Sequence, residues 1–214
     1  MIKVFNNDCV ADYITSNIYV LGKKGYPCVV FDMGRATDEI IDYIKSHHDK
    51  VEALILTHGH FDHIRGVNDF LKKFPNTPVY IPSEDEKCLR DPRYNGTINN
   101  GEKVSIDVKP ILVNEGDELK FKSAKVEVIQ TPFHTAGSTC YYVEEDNALF
   151  TGDTLFKGSI GRTDFINSQP EKINDSLKKL MSLSDLTVCY PGHGPITKLK
   201  DEKRDNPFLR GIGK

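Results

Sequence analysis

At 214 residues, with 38% hydrophobic and 28% charged side chains, the chain is long enough for one large core and far from a disordered composition. Its net charge of −3, with both signs interspersed and no basic block, excludes the electrostatic footprint of a nucleic-acid surface. The amino end, Met1 to Asp8, lacks the apolar stretch of a signal peptide, and no run is long enough to span a bilayer, so a cytoplasmic protein without membrane association is expected.

The five cysteines, Cys9, Cys28, Cys88, Cys140 and Cys189, are odd in number and scattered, without C-x-x-C spacing. That pattern reads as reduced thiols packed as small hydrophobes. One domain, 1–214, is expected.

Residues 16–21 and 27–32 read as two strands joined by a turn over 22–25, and Asp32-Met33-Gly34 closes the second. Residues 38–44 carry apolar side chains spaced for one helical face. His47 and His48 end this helix, where cations are favourable, and read as structural. The apolar run 51–56 then reads as a buried strand.

That strand delivers Thr57-His58-Gly59-His60-Phe61-Asp62-His63, three imidazoles and a carboxylate within six residues. His58 and His60, two apart in an extended loop, can face the same side. Asp62 and His63 follow at the start of a helix expected to run from Asp62 to about Phe74, with Pro75 ending it. Imidazole and carboxylate together suit Zn, Fe or Mn. A short strand over 79–81 precedes a stretch, 82–104, rich in charge, Asn, Gly and Pro. It reads as a substrate wall, with solvated filler as the alternative.

The second half repeats the construction. Strand 125–130 runs into Thr131-Pro132-Phe133-His134. Strands 140–143 and 148–150 follow, the latter ending in Thr151-Gly152-Asp153. Pro170 opens a helix with Ile173, Leu177, Leu180 and Met181 on one face. Strand 187–190 ends in Pro191-Gly192-His193-Gly194-Pro195. A strand leading through a loop to a ligand type thus occurs four times. Seven side chains result: His58, His60, Asp62, His63, His134, Asp153 and His193. One catalytic ion takes three or four protein ligands, so seven suit two ions.

The T-H-x-H-x-D-H signature after an apolar strand, with His134, Asp153 and His193 following in order, resembles the metallo-β-lactamase-fold hydrolases over about Ile14 to Pro195. The resemblance implies a four-layer αβ/βα sandwich of mixed α and β structure. It places His58, His60 and His134 on one divalent ion and Asp62, His63 and His193 on a second. Asp153 bridges them, and Asp62 and Asp153 are the carboxylates expected to act in catalysis. Zinc is the expected metal, with Fe or Mn as alternatives. By the same resemblance Asp32 supports the histidine loop from behind, and Asp164 is expected as a further outer partner of the ligands.

Two carboxylates against two divalent cations leave a positive centre, which draws anionic substrates. Coordination lowers the pKa of water from about 15.7 to roughly 7, so a hydroxide shared by the two ions is the implied nucleophile. A thioester suits such a site, because a thiolate with pKa roughly 8.5 leaves without a general acid. The segment Phe156 to Asp164 is similar to the glyoxalase-II-like branch, which hydrolyses S-acyl-glutathione. There Arg162 takes the place of a substrate-binding lysine and can clamp a carboxylate, or else pair internally with Asp164. The longer glyoxalase II enzymes add a helical carboxyl-terminal extension, which this sequence ends too soon to hold. Persulfide dioxygenases share the segment and use a single Fe held by two His and an Asp, a triad that His58, His134 and Asp153 can supply.

Overall fold

The structure, a computed structural model, describes residues 1–6, 16–98, 102–210 and 212. Asn7, Asp8, Cys9 and Ile14 lie outside the described residues. In chain order the first half holds β1 (Ile2–Phe5), β2 (Ile18–Gly22), β3 (Cys28–Phe31), α1 (Asp38–His47), β4 (Val51–Ile55), α2 (Phe61–Ile64), α3 (Val67–Lys73), β5 (Val79–Pro82) and β6 (Ile111–Val113). The second half holds β7 (Glu118–Lys120), β8 (Lys125–Gln130), β9 (Thr139–Val143), β10 (Ala148–Gly152), β11 (Leu155–Phe156), β12 (Ser159–Ile160), α4 (Ile173–Met181), β13 (Val188–Pro191), β14 (Thr197–Lys198) and α5 (Leu199–Asp205).

Two six-stranded sheets result, ordered β1-β2-β3-β4-β5-β6 and β14-β13-β10-β9-β8-β7. Strands β3 to β6 run parallel, as do β10 and β13. Strands buried on both faces need apolar residues at every position, and the period of two sorts them. Ile18, Val20, Val30 and Leu54 pack outward against Ile40, Ile41 and Ile44 of α1 and Val67 and Phe70 of α3. Tyr19, Val29, Phe31, Ala53 and Ile55 face the other sheet and meet Val126, Val128, Tyr141 and Phe150. Leu149, Tyr142 and Cys189 turn away from that seam onto Leu177 and Leu180 of α4 and Leu199 of α5. The four layers are helix, sheet, sheet, helix, the expected αβ/βα sandwich.

The helix expected over 62–74 is broken in two. Gly66 N–H turns to the Met33 carbonyl at 2.8 Å, and the Asp62 carbonyl takes the Ser16 N–H at 3.1 Å. The loop after β3 thus intrudes on the helical ladder at Arg65–Gly66, a long-range demand that local periodicity does not carry. The expected helix at 170 begins as a tight turn, Pro170–Lys172, before α4. His47 stacks on Tyr43 at 4.1 Å and His48 Nδ1 meets the Tyr26 carbonyl at 3.1 Å, so both are structural as expected. Cys28, Cys88, Cys140 and Cys189 are buried and unpaired. Among the described residues no helix is long and apolar enough to cross a membrane.

Candidate metal centre

Five strand ends meet at one rim of the sandwich. β3 ends at Asp32, β4 at Thr57 and the loop His58–His63, β8 runs to His134, β10 to Asp153 and β13 to His193. The crevice outside the carboxyl ends of strands is where such sheets collect ligands. The two sheets are tied across it. Thr139 N–H donates to the Thr57 carbonyl at 3.0 Å, Tyr141 Oη–H to the Leu56 carbonyl at 2.9 Å and Asn17 N–H to the Gly192 carbonyl at 2.7 Å.

The donor atoms of His58, His60 and His134 lie within 4.8 Å of one another, and so do those of Asp62, His63 and His193. A third grouping, His58, His63 and Asp153, overlaps the first two. Asp153 stands between them. Its Oδ1 is 3.2 Å from His63 Nε2, and its Oδ2 is 3.4 Å from His134 Nε2 and 3.6 Å from His193 Nε2.

Hydrogen bonds on the far side of each ring decide which nitrogen faces inward. Asp32, in the left-handed backbone region at φ 57°, accepts from Thr57 N–H at 2.8 Å and Thr57 Oγ1 at 2.9 Å. Its Oδ2 also takes His63 Nδ1–H at 2.8 Å, which leaves His63 Nε2 for the site. With its proton given to Asp32, the Thr57 hydroxyl accepts from His58 Nδ1 at 3.1 Å. His134 Nδ1 donates to the Arg162 carbonyl at 2.8 Å. His60 turns its Nδ1 inward, 2.9 Å from His134 Nε2.

Burial, and then its neighbour His63, keeps the His58 imidazole well below its usual pKa. Burial and the adjoining His134 push His60 down to about 3. Both rings are therefore neutral, the form that binds metal. Burial works against charge on Asp153 and Asp62 too. His193 and His63 outweigh it at Asp153, and His63 and His193 at Asp62, and hold both carboxyls below the usual range. Burial likewise opposes charge on His63 and His193, but the surrounding carboxylates raise both.

The Metallo-beta-lactamase superfamily model matches residues 12–193. The chain belongs to that superfamily. It is 36% identical over 201 residues to a probable metallo-hydrolase of Bacillus subtilis, covering 93% of this chain and 94% of that protein. A hydroxyacylglutathione hydrolase of Pectobacterium carotovorum is 34% identical over 82% of this chain and 61% of its own length. Among solved structures, BLEG-1 B3 metallo-β-lactamase superposes with TM-score 0.88 and 33% identity, covering 99% of this chain and all of that one (100%). TTHA1623 in a di-iron-bound form gives TM-score 0.76 and 31% identity over 94% of this chain and 98% of that one.

The superfamily fold implies divalent metal, and the residues present fit one. His58 Nε2, the nitrogen left for the site, is buried without a hydrogen-bond partner among the described residues, and Asp153 Oδ1 beside the same group has only the His63 imidazole at 3.2 Å. Buried polar atoms are almost always satisfied, so a bare imidazole nitrogen in such a cluster calls for a ligand. The donor set, imidazole with carboxylate, is the one Zn, Fe and Mn accept.

All seven side chains expected as ligands are thus gathered by the metallo-β-lactamase fold, and Asp32 stands behind them. Of the two roles expected for Arg162, the internal pair is the one seen: its guanidinium is taken bidentately by Asp164, with Nε to Oδ1 at 2.5 Å, and lies 4.8 Å over the Phe165 ring. Asp164 in turn spends its carboxylate on Arg162 at the surface and supports no imidazole, because the loop points it outward (63% side-chain exposure). It is the Arg162 carbonyl that orients His134.

A cavity of about 300 Å³ opens over the centre, lined by His60, Phe61, Asp62, Asn95, Gly96, Asp153, Arg162 and Phe165. A larger cleft, about 590 Å³, lies against α5 and touches none of the seven. Among the described residues of the stretch 82–104, Asn95 and Gly96 alone reach the cavity, so the part they play as a wall is partial. Asp85, Cys88, Leu89, Asn95 and Thr97 are buried, so solvated filler does not describe it. Phe165, whose ring is 4.4 Å from His60, and Asp85 carry no spacing signature and were not expected at the site.

Proposed function

We propose that the protein is a thioester hydrolase of the S-acyl-glutathione type, working with two divalent ions, zinc expected. Bound in this centre, such ions supply Lewis acidity and hydroxide at neutral pH. The two groupings would hold them: His58, His60 and His134 one ion, Asp62, His63 and His193 the other, with Asp153 available to both. The chain's own work is to orient these imidazoles through Asp32, Thr57 and the Arg162 carbonyl, and to keep His58 and His60 neutral by burial. Phe61 and Phe165 wall the cavity and shed water from the substrate, which strengthens every charge interaction inside.

One observation carries the choice of thioester. Besides the candidate ligands, the described residues lining the cavity are Phe61, Asn95, Gly96, Arg162 and Phe165, and none of them gives up a proton near neutral pH. A leaving group there departs unprotonated. A thiolate, with a pKa of roughly 8.5, does so readily, whereas an amine needs an acid. The Pectobacterium relative, named for hydroxyacylglutathione hydrolysis, supports the same reading. The exposed Arg162–Asp164 pair at the mouth is of the kind worth little in water, so an anionic substrate can exchange with Asp164 for the guanidinium.

A second reading, a mononuclear-Fe persulfide dioxygenase built on His58, His134 and Asp153, leaves the Asp62–His63–His193 grouping without a task. One experiment separates the readings. Protein purified without chelator is analysed for metal, then given S-lactoylglutathione, nitrocefin and glutathione persulfide. Two ions per chain, thiol release and no oxygen uptake are expected. No thiol release, or faster opening of nitrocefin, overturns the thioester reading. One Fe with oxygen uptake establishes the dioxygenase.

A further inference from the structure

The tight turn after β5, Ser83–Leu89, carries Asp85, a fully buried carboxylate. Its Oδ2 accepts from Gly59 N–H at 2.9 Å and Thr135 Oγ1 at 2.7 Å, and its Oδ1 accepts from Gly137 N–H at 3.0 Å. All three donors belong to loops that carry imidazoles. Gly59 stands between His58 and His60, Thr135 follows His134 directly, and Gly137 lies two residues on. The fit leaves no slack: a Cβ on Gly59 would come within 2.2 Å of Cys88 Cβ, and one on Gly137 within 2.6 Å of Asp85 Cγ.

The turn is itself held fast. Asn95 Nδ2 donates to the Cys88 and Val104 carbonyls, both at 3.0 Å, and the Asn95 carbonyl accepts from Phe61 N–H at 2.9 Å. Burial pushes the Asp85 carboxyl above its ordinary pKa, and the three donors converging on its two oxygens favour the carboxylate against that push. None of the donors is charged. A buried anion without a cationic partner is unfavourable, and a cation held by the imidazoles just beyond would offset it.

We infer that Asp85 is a positioning residue for the His58–His60–His134 ion: it locks the two loops that present all three imidazoles and sets a buried negative charge behind them. The inference rests on the metal assignment above but not on the substrate. The other grouping has its own anchor, Asp32 on His63, so the effect of Asp85 is confined to one of the two ions.

The test is cobalt(II) titration of the full chain after chelator treatment, read by visible absorption and by competition with a chelator of known affinity. Asp85→Asn keeps the shape but sets an amide NH₂ against the donors. One equivalent should bind roughly 10–100-fold more weakly, the scale seen when an outer partner of a metal ligand is lost, with the other equivalent unchanged. Ile40→Val, a trimming of the α1 core, should lower stability and leave both affinities intact. If Asp85→Asn does not fold, Thr135→Val, nearly isosteric and short of one donor, carries the test and should weaken one equivalent several-fold. Wild-type affinity for both equivalents in the folded variant overturns the inference, as does equal weakening of both. A wild-type chain that binds cobalt but releases no thiol would sink the thioester reading alone.

Discussion

Asp153 reaches three imidazoles delivered by three different loops, all within 3.6 Å, and this is where the two groupings join. Asp62 belongs to one grouping alone, with its Oδ2 3.1 Å from His193 Nε2. Asp62→Ala should therefore leave one ion per chain and strongly reduce hydrolysis, as read by elemental analysis beside a thiol-release assay. Undiminished activity with one ion would end the two-metal mechanism. Ligand residues were legible in sequence because each follows an apolar strand, and four repeats of that construction outweigh the ambiguity of a lone His134 or His193. Asp85 was not. Its partners lie 26, 50 and 52 positions away, and a single carboxylate in a charged stretch has no period to betray it. Asp164 misled for the opposite reason, since adjacency to a motif says nothing of where a short loop aims a side chain.

At the level of strands and helices, the seam between the sheets depends on large side chains in close register. Phe31 of β3 stacks on Phe150 of β10 with ring centroids 3.7 Å apart, and both are fully buried. Phe31→Ala should cost about 3–5 kcal/mol of unfolding free energy, measured by urea titration, because the cavity opens where both sheets are rigid. A loss below about 1 kcal/mol would mean that the sheets can slide together to close it. The buried strands and the amphipathic faces of α1 and α4 were readable from periodicity alone. The short pair β11–β12, the two-residue strand β14 and the edge strands β1, β6 and β7 were not. Two to four residues are too few to show a period, and their places are set by the partner strand.

Across the whole molecule, the sandwich is fastened at both ends. Away from the metal rim, Glu52 on β4 accepts from Lys122 N–H at 3.1 Å, Ser123 N–H at 2.9 Å and Ser123 Oγ at 2.8 Å, all in the turn between β7 and β8 of the opposite sheet. Burial raises this carboxyl, but the Ser123 hydroxyl and the two N–H groups pull harder and hold it below the ordinary glutamate value of 4.5. With the folded pKa below the unfolded one, the group adds stability above the unfolded value and loses it as pH falls through the folded one. Glu52→Gln should therefore lower the urea midpoint at pH 7, and the gap to wild type should close as pH drops below 4.5. A gap that stays constant down to pH 3 would show that the carboxylate charge is not what joins the two sheets there.

The seven candidate ligands come from both sheets: His58, His60, Asp62 and His63 from the first, and His134, Asp153 and His193 from the second. Any ion they share is thus a rivet through both halves of the chain, added at this rim to the Thr139–Thr57, Tyr141–Leu56 and Asn17–Gly192 hydrogen bonds, while Glu52 grips the other. The molecule's resistance to heat and proteases then follows the metal supply of its surroundings, gaining about 2.7 kcal/mol when free ion stands at a hundred times the dissociation constant.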